Sequence, residues 1–113
     1  VLKGILSRED ARIARESGVD GVMVSNHAGR QLENSAAPLR VLPGIAKEAG
    51  EMTVMVDGGI RRGTDLLRAL ALGADFVFVR RPLQHAAAIG GKAGMRHAIK
   101  LLQDEIDRDK ALT

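Results

Sequence analysis

Two nine-residue stretches, "SGVDGVMVS" from Ser17 and "LGADFVFVR" from Leu72, each set a Gly, a small apolar residue and an Asp ahead of a short apolar run. They lie 55 residues apart, and a third apolar run, "MTVMV", falls between them. A Gly at that point ends a helix, because a residue without a Cβ enters the left-handed conformation freely. The apolar runs that follow read as buried strands. A repeated helix-then-strand unit therefore governs the chain. Strands that are apolar throughout, and do not alternate, predict a parallel sheet covered on both faces. Two α/β architectures satisfy this, a doubly wound sheet and a TIM barrel. In both, ligands meet the C-terminal ends of the strands, so the loops of interest follow Val24, Val56 and Val79.

The helices that alternate with these strands carry their own signals. Ser7, followed three residues later by Asp10, resembles a capping box and opens a helix that ends at Gly18. Pro38 starts a second helix, with Leu39, Leu42, Ile45, Ala46 and Ala49 at helical spacing and Pro43 and Gly44 interrupting the pattern. The strand Met52 to Val56 precedes the helix "TDLLRALAL", which Gly73 stops, and "DFVFV" is the next strand. Beyond Pro82 come a short Ala-rich helix and, past "GGKAG", a longer one with an apolar stripe of Met95, Ile99, Leu102 and Ile106. The terminal "DEIDRDK" reads as that helix's solvated face.

Composition narrows the function classes. At 113 residues, 45% apolar and 27% charged, the chain is expected to form one domain with an ordinary core. No apolar stretch approaches the ~18 residues of a membrane span, and no basic-then-apolar leader opens the chain. Membrane association is thus not indicated; the expectation is a cytoplasmic protein, with peripheral association left open. The chain has no Cys, so neither disulfides nor Cys–metal sites are available, and no metal is expected. A net charge of +3 suggests an anionic partner, but Phe76 and Phe78 are the only aromatic residues apart from His, which argues against nucleic acid. A small phosphate ligand accounts for the charge.

The three loops hold the unusual residues. "SNHAGRQLE", Ser25 to Glu33, gathers an amide, an imidazole and a guanidinium at one strand end. In "DGGIRRGTD" the paired Gly58 and Gly59 let the backbone approach an anion, and Arg61 and Arg62 offer charge at the mouth of the following helix. "RRP" adds Arg80 and Arg81, whose guanidinium groups can grip phosphate oxygens in bidentate fashion. Such groups on neighbouring strand ends match the phosphate position common near the last strands of TIM barrels.

Together "LKG", "SNHAGRQLE", "DGGIRRGTD", "ALALGADFVFV" and "RRP" resemble the C-terminal part of the FMN-dependent α-hydroxy acid oxidases and dehydrogenases, the glycolate oxidase and L-lactate dehydrogenase type. The resemblance covers essentially all of residues 1–113. It implies a TIM barrel of which this chain supplies about the last half, from the end of strand five to strand eight and the C-terminal helices. It further implies oxidation of a small L-2-hydroxy acid to the 2-oxo acid with FMN as cofactor. His27 would be the catalytic base and a substrate contact, and Arg30 would bind the substrate carboxylate. Lys3 would lie at the pyrimidine edge of the flavin, with Ser25 as another flavin contact. Asp57, Gly58, Gly59 and Arg61 would hold the ribityl chain and phosphate, with Arg80 and Arg81 on the phosphate side. The implied partners are the hydroxy acid and either further copies of the chain or the missing N-terminal half of the barrel.

The pattern departs from the family at several positions. Ala28 stands where Gly is usual, Glu33 replaces Asp, and Arg80 replaces a Gly, placing a side chain where backbone would approach phosphate. The tyrosines that face substrate in the family have no counterpart in a chain without Tyr. His85 and His97 match nothing catalytic and read as ordinary helix residues. "DGGIR" and "ALALGAD" also resemble IMP dehydrogenase, but "SNHAGRQL" does not, and that enzyme's Cys nucleophile is absent. A non-catalytic half barrel that binds phosphate or FMN is the remaining alternative.

Overall fold

A computed structural model describes residues 1–112. Its elements alternate as the sequence predicts: β1 (Leu2–Ile5), α1 (Arg8–Glu16), β2 (Gly21–Val24), α2 (Pro38–Ala49), β3 (Thr53–Asp57), α3 (Gly63–Ala71), β4 (Phe76–Phe78) and α4 (Arg81–Leu112). The strands form one parallel sheet in the order β1-β2-β3-β4. The residues gather into two compact units. One comprises Val1–Gly59 with Ala69–Phe78; the other comprises Ile60–Arg68 with the residues from Val79 onward.

In the first unit the repeated sequence unit has a hydrogen-bonding basis. At the end of α1 the N–H of Gly18 donates to the Arg15 carbonyl and that of Val19 to the Ala14 carbonyl. At the end of α3 Gly73 and Ala74 do the same to Leu70 and Ala69. Both are Schellman closures, and Gly18 and Gly73 take the positive φ that they require (75° and 106°). The two aspartates then differ: the Asp75 carboxylate accepts the Val54 N–H at 2.8 Å, while Asp20 receives Thr53 N–H on its backbone carbonyl. Ser7 caps α1 as expected, its Oγ accepting the Asp10 N–H at 3.0 Å.

Register sets Val22 beside Val54 and Val24 beside Val56, and all four are buried. Their face of the sheet receives α1 and α2 through Ala11, Ala14, Leu42, Ile45 and Ala49. Leu42 and Ile45 are completely buried, each contributing on the order of 2 kcal/mol. α2 runs unbroken through Pro43. Gly44 is explained by α1: a Cβ there would lie 2.9 Å from the Arg8 Cδ, whose guanidinium pairs with Glu48 at 2.7 Å.

On the opposite face Met23, Thr53, Met55 and Asp57 are half-buried, and Phe76 and Phe78 on the short β4 are 62% and 48% exposed. In the second unit α4 begins at Arg81, ahead of Pro82, and breaks at Gly91 (φ 56°), which separates the Ala-rich arm from the longer one. The stripe on the longer arm is not packed into a core, since Met95 and Ile99 are exposed and α4 buries no residue fully.

Candidate functional site

The loop after β2 is wound tightly. Ser25 is completely buried and its hydroxyl accepts the His27 N–H at 3.2 Å. The N–H groups of Gly29 and Arg30 return to the carbonyls of Asn26 and His27, closing one 3₁₀ turn over His27–Gly29. Winding it drives His27 and Ala28 to φ 53° and 61°. Each non-glycine residue in that left-handed region costs roughly 1 kcal/mol or more, and such strain clusters where geometry serves function. The same turn carries His27 and Arg30, both exposed.

The imidazole of His27 lies over β1. A Cβ built on Gly4 would stand 2.9 Å from His27 Nε2, and Gly4 sits at φ 97° where the pairing of β1 with β2 shifts register. Gly4 is therefore a site residue that the sequence reading passed over. Its neighbour Lys3 pairs in register with Met23 and reaches across β2 to the Asp57 carboxylate at the end of β3, Nζ to Oδ2 2.5 Å. A cation, a carboxylate and an imidazole thus converge at the end of the sheet. Beyond Asp57, Gly58 and Gly59 take φ 97° and 81°. A Cβ on Gly58 would approach Asn26 Oδ1 to 3.3 Å, so the loop after β3 packs on the loop after β2, whereas the Cβ position of Gly59 meets nothing within 4 Å. Backbone at Gly59 is open to a ligand, which fits a phosphate-bearing cofactor.

In the second unit the start of α3 differs from the expectation. The N–H groups of Arg61 and Arg62 both donate to Asp65 Oδ2 at 3.1 Å, and the Gly63 N–H donates to Glu105 Oε2 at 2.7 Å. The Arg62 guanidinium is held by Glu105 Oε1, at 2.8 Å from Nε and 2.6 Å from its terminal nitrogen. The hydrogen bond from Arg62, reinforced by the Gly63 N–H, holds the Glu105 carboxyl below its usual range, and Glu105 in turn pushes Arg62 up. The helix mouth is therefore filled by carboxylates of the chain itself, and Arg62 is not offered to an anion. "DEIDRDK" is not merely a solvated face either: Asp109 accepts from the Thr64 hydroxyl at 2.6 Å. Arg61 makes no salt bridge among the described residues. With Arg62, Glu105, Pro82, Ala98 and Leu101 it lines a cavity of about 240 Å³. Arg80 is exposed, and its carbonyl accepts the Gln84 N–H of the first turn of α4. His85 and His97 are exposed on α4. Among the described residues no three His, Cys, Asp or Glu side chains gather as a metal site, and no helix is long and apolar enough to cross a membrane.

Comparison with known proteins identifies what this arrangement is similar to. The family model of the FMN-dependent dehydrogenases matches residues 1–113. Glycolate oxidase 3 of Oryza sativa subsp. indica is 45% identical over 114 residues, covering all of this chain and 31% of the relative. L-lactate oxidase of Nostoc sp. is 50% identical over 113 residues, covering 99% of the chain and again 31% of the relative. The crystal structure of mandelate oxidase matches at a TM-score of 0.87 and 47% identity, over 93% of this chain and 31% of that one. The chain thus spans about a third of the length of these relatives, whose fold is of the TIM barrel family, and the expectation of half a barrel is corrected to that extent. With its parallel sheet, its strained His27 turn and a family match from one end to the other, the chain belongs to the FMN-dependent dehydrogenases.

Proposed function

We propose that the chain carries the proton acceptor and the carboxylate-binding arginine of an FMN-dependent 2-hydroxy acid oxidoreductase. The observation that carries this reading is the convergence of His27 over Gly4 with the Lys3–Asp57 pair beside it. Arg30 presents a planar guanidinium that matches a carboxylate in bidentate fashion, fixing the substrate by the group every 2-hydroxy acid possesses. With the acid so anchored, His27 accepts the hydroxyl proton as the α-carbon loses its hydrogen and an electron pair, leaving the 2-oxo acid. FMN, when bound, supplies the two-electron acceptor. Lys3 provides a cation where negative charge accumulates, and Asp57 holds that ammonium in place. Gly58 and Gly59 offer open backbone to a ligand, and within the second unit Arg61 and Arg81 offer charge to a phosphate. The small substrates of the relatives, glycolate, L-lactate and mandelate, support the substrate class. Ser25 acts through its hydrogen bond to His27 N–H and so supports the flavin-facing turn from within. The open face of the sheet, with Phe76 and Phe78, is the side that further strands of the barrel or a second copy of the chain would cover.

The test is spectroscopic. The complete enzyme should purify yellow and bleach under anaerobic conditions on addition of glycolate, L-lactate or (S)-mandelate, with stoichiometric 2-oxo acid. A flavin that stays oxidised with all three would refute the substrate class.

A further inference from the structure

Two adjacent arginines follow the glycine pair, and the structure treats them in opposite ways. Arg62 is held by Glu105 through two of its nitrogens, and the same carboxylate accepts the Gly63 N–H; the Arg62 side chain is 69% exposed and that of Glu105 18%. The fit between the helices is close, since a Cβ on Gly63 would lie 2.7 Å from the Glu105 Cβ and 2.8 Å from the Ile106 nitrogen. Two residues on, the Thr64 hydroxyl is tied to Asp109, one turn along the same helix. Asp65 meanwhile accepts the backbone N–H groups of both Arg61 and Arg62. Among the described residues Arg61 carries no such restraint on its guanidinium, although both arginines and Glu105 line the same cavity beside Pro82.

We propose that Glu105 is a positioning residue that selects Arg61, and not Arg62, as the arginine available to the cofactor phosphate. This rests on the cofactor reading above. Glu105 neutralises Arg62, fills the helix mouth that would otherwise compete for the anion, and fixes the loop so that one guanidinium remains. Removing its charge should release Arg62 as a second, alternative ligand.

The experiment compares FMN with riboflavin, which lacks the phosphate, by titrating the apo form of the complete enzyme and following flavin fluorescence. The ratio of the two affinities isolates phosphate recognition from any general loss of fold. In the parent, Arg61→Met should lower the ratio by about tenfold or more, the scale of one charge-assisted hydrogen bond, while Arg62→Met should leave it unchanged. In a Glu105→Gln background Arg62→Met should now lower the ratio. An Arg62→Met effect equal to that of Arg61→Met in the parent would overturn the proposal, as would an Arg62→Met that stays silent after Glu105→Gln. A parent that shows no preference for FMN over riboflavin would overturn the cofactor reading itself, before any variant is compared.

Discussion

Replacing Gly4 by Ala tests the link between the sheet and the proton acceptor. At φ 97° an alanine leaves its favoured conformations, which costs about 1–2 kcal/mol. The new Cβ would also stand 2.9 Å from His27 Nε2, well inside ordinary contact. Because the obstructing atom is the far end of a side chain and not backbone, the ring swings aside at a cost of roughly 0.5–1.5 kcal/mol for an off-rotamer χ angle. The total destabilisation should therefore be about 2–3 kcal/mol, which the complete enzyme should survive. Catalysis should suffer far more, since displacing a reacting group by about 1 Å can cost on the order of 10²-fold. Urea denaturation gives the first quantity and anaerobic single-turnover flavin reduction the second. Binding of a substrate analogue, which the proposal assigns to Arg30, should persist. A variant that loses stability but reduces its flavin at the parent rate would refute the reasoning, leaving Gly4 with a role only in the irregular pairing of β1.

Three further outcomes follow from particular residues. Ala28 stands at φ 61°, ψ 26°, so Ala28→Gly should raise the urea midpoint, by the equivalent of about 0.5–1 kcal/mol after the added freedom of the unfolded chain is counted; a lower midpoint would show that the methyl packs usefully. The folded-state pKa of Glu105 is depressed below about 4.5 by Arg62, so its contribution is fully present above that pH and is lost as pH falls through the folded value. Glu105→Gln should accordingly flatten the acid limb of a melting-temperature profile and leave the neutral region parallel to the parent; an unchanged acid limb would contradict the assignment. Arg80→Gly should tighten FMN binding, because Arg61 and Arg81 already supply charge while the Arg80 Cβ hinders close approach of the backbone; weaker binding at two salt concentrations would make Arg80 a ligand.

What could be read from the chain alone was whatever is decided within a few residues. The helix stops at Gly18 and Gly73, the Ser7 cap and the break at Gly91 are local hydrogen-bond chemistry, and each leaves a local mark. The His27 turn was conspicuous because three polar groups crowd one strand end. Glu105 and Asp109 were illegible for the opposite reason: their partners lie 42 to 45 residues away, and an acid on an amphipathic helix looks like a solvated one. Gly4 gave no sign of its role, since what forbids a side chain there is a ring from another strand's loop.

The central claim is that one short turn supplies both the proton acceptor and the carboxylate anchor. Anaerobic single-turnover flavin reduction in the complete enzyme, measured across substrate concentrations for His27→Ala and Arg30→Met, tests it most directly. The account predicts that His27→Ala lowers the limiting rate by about 10²–10⁴-fold with substrate affinity retained, and that Arg30→Met raises the half-saturating concentration. A His27→Ala enzyme that reduces its flavin at the parent limiting rate would contradict it.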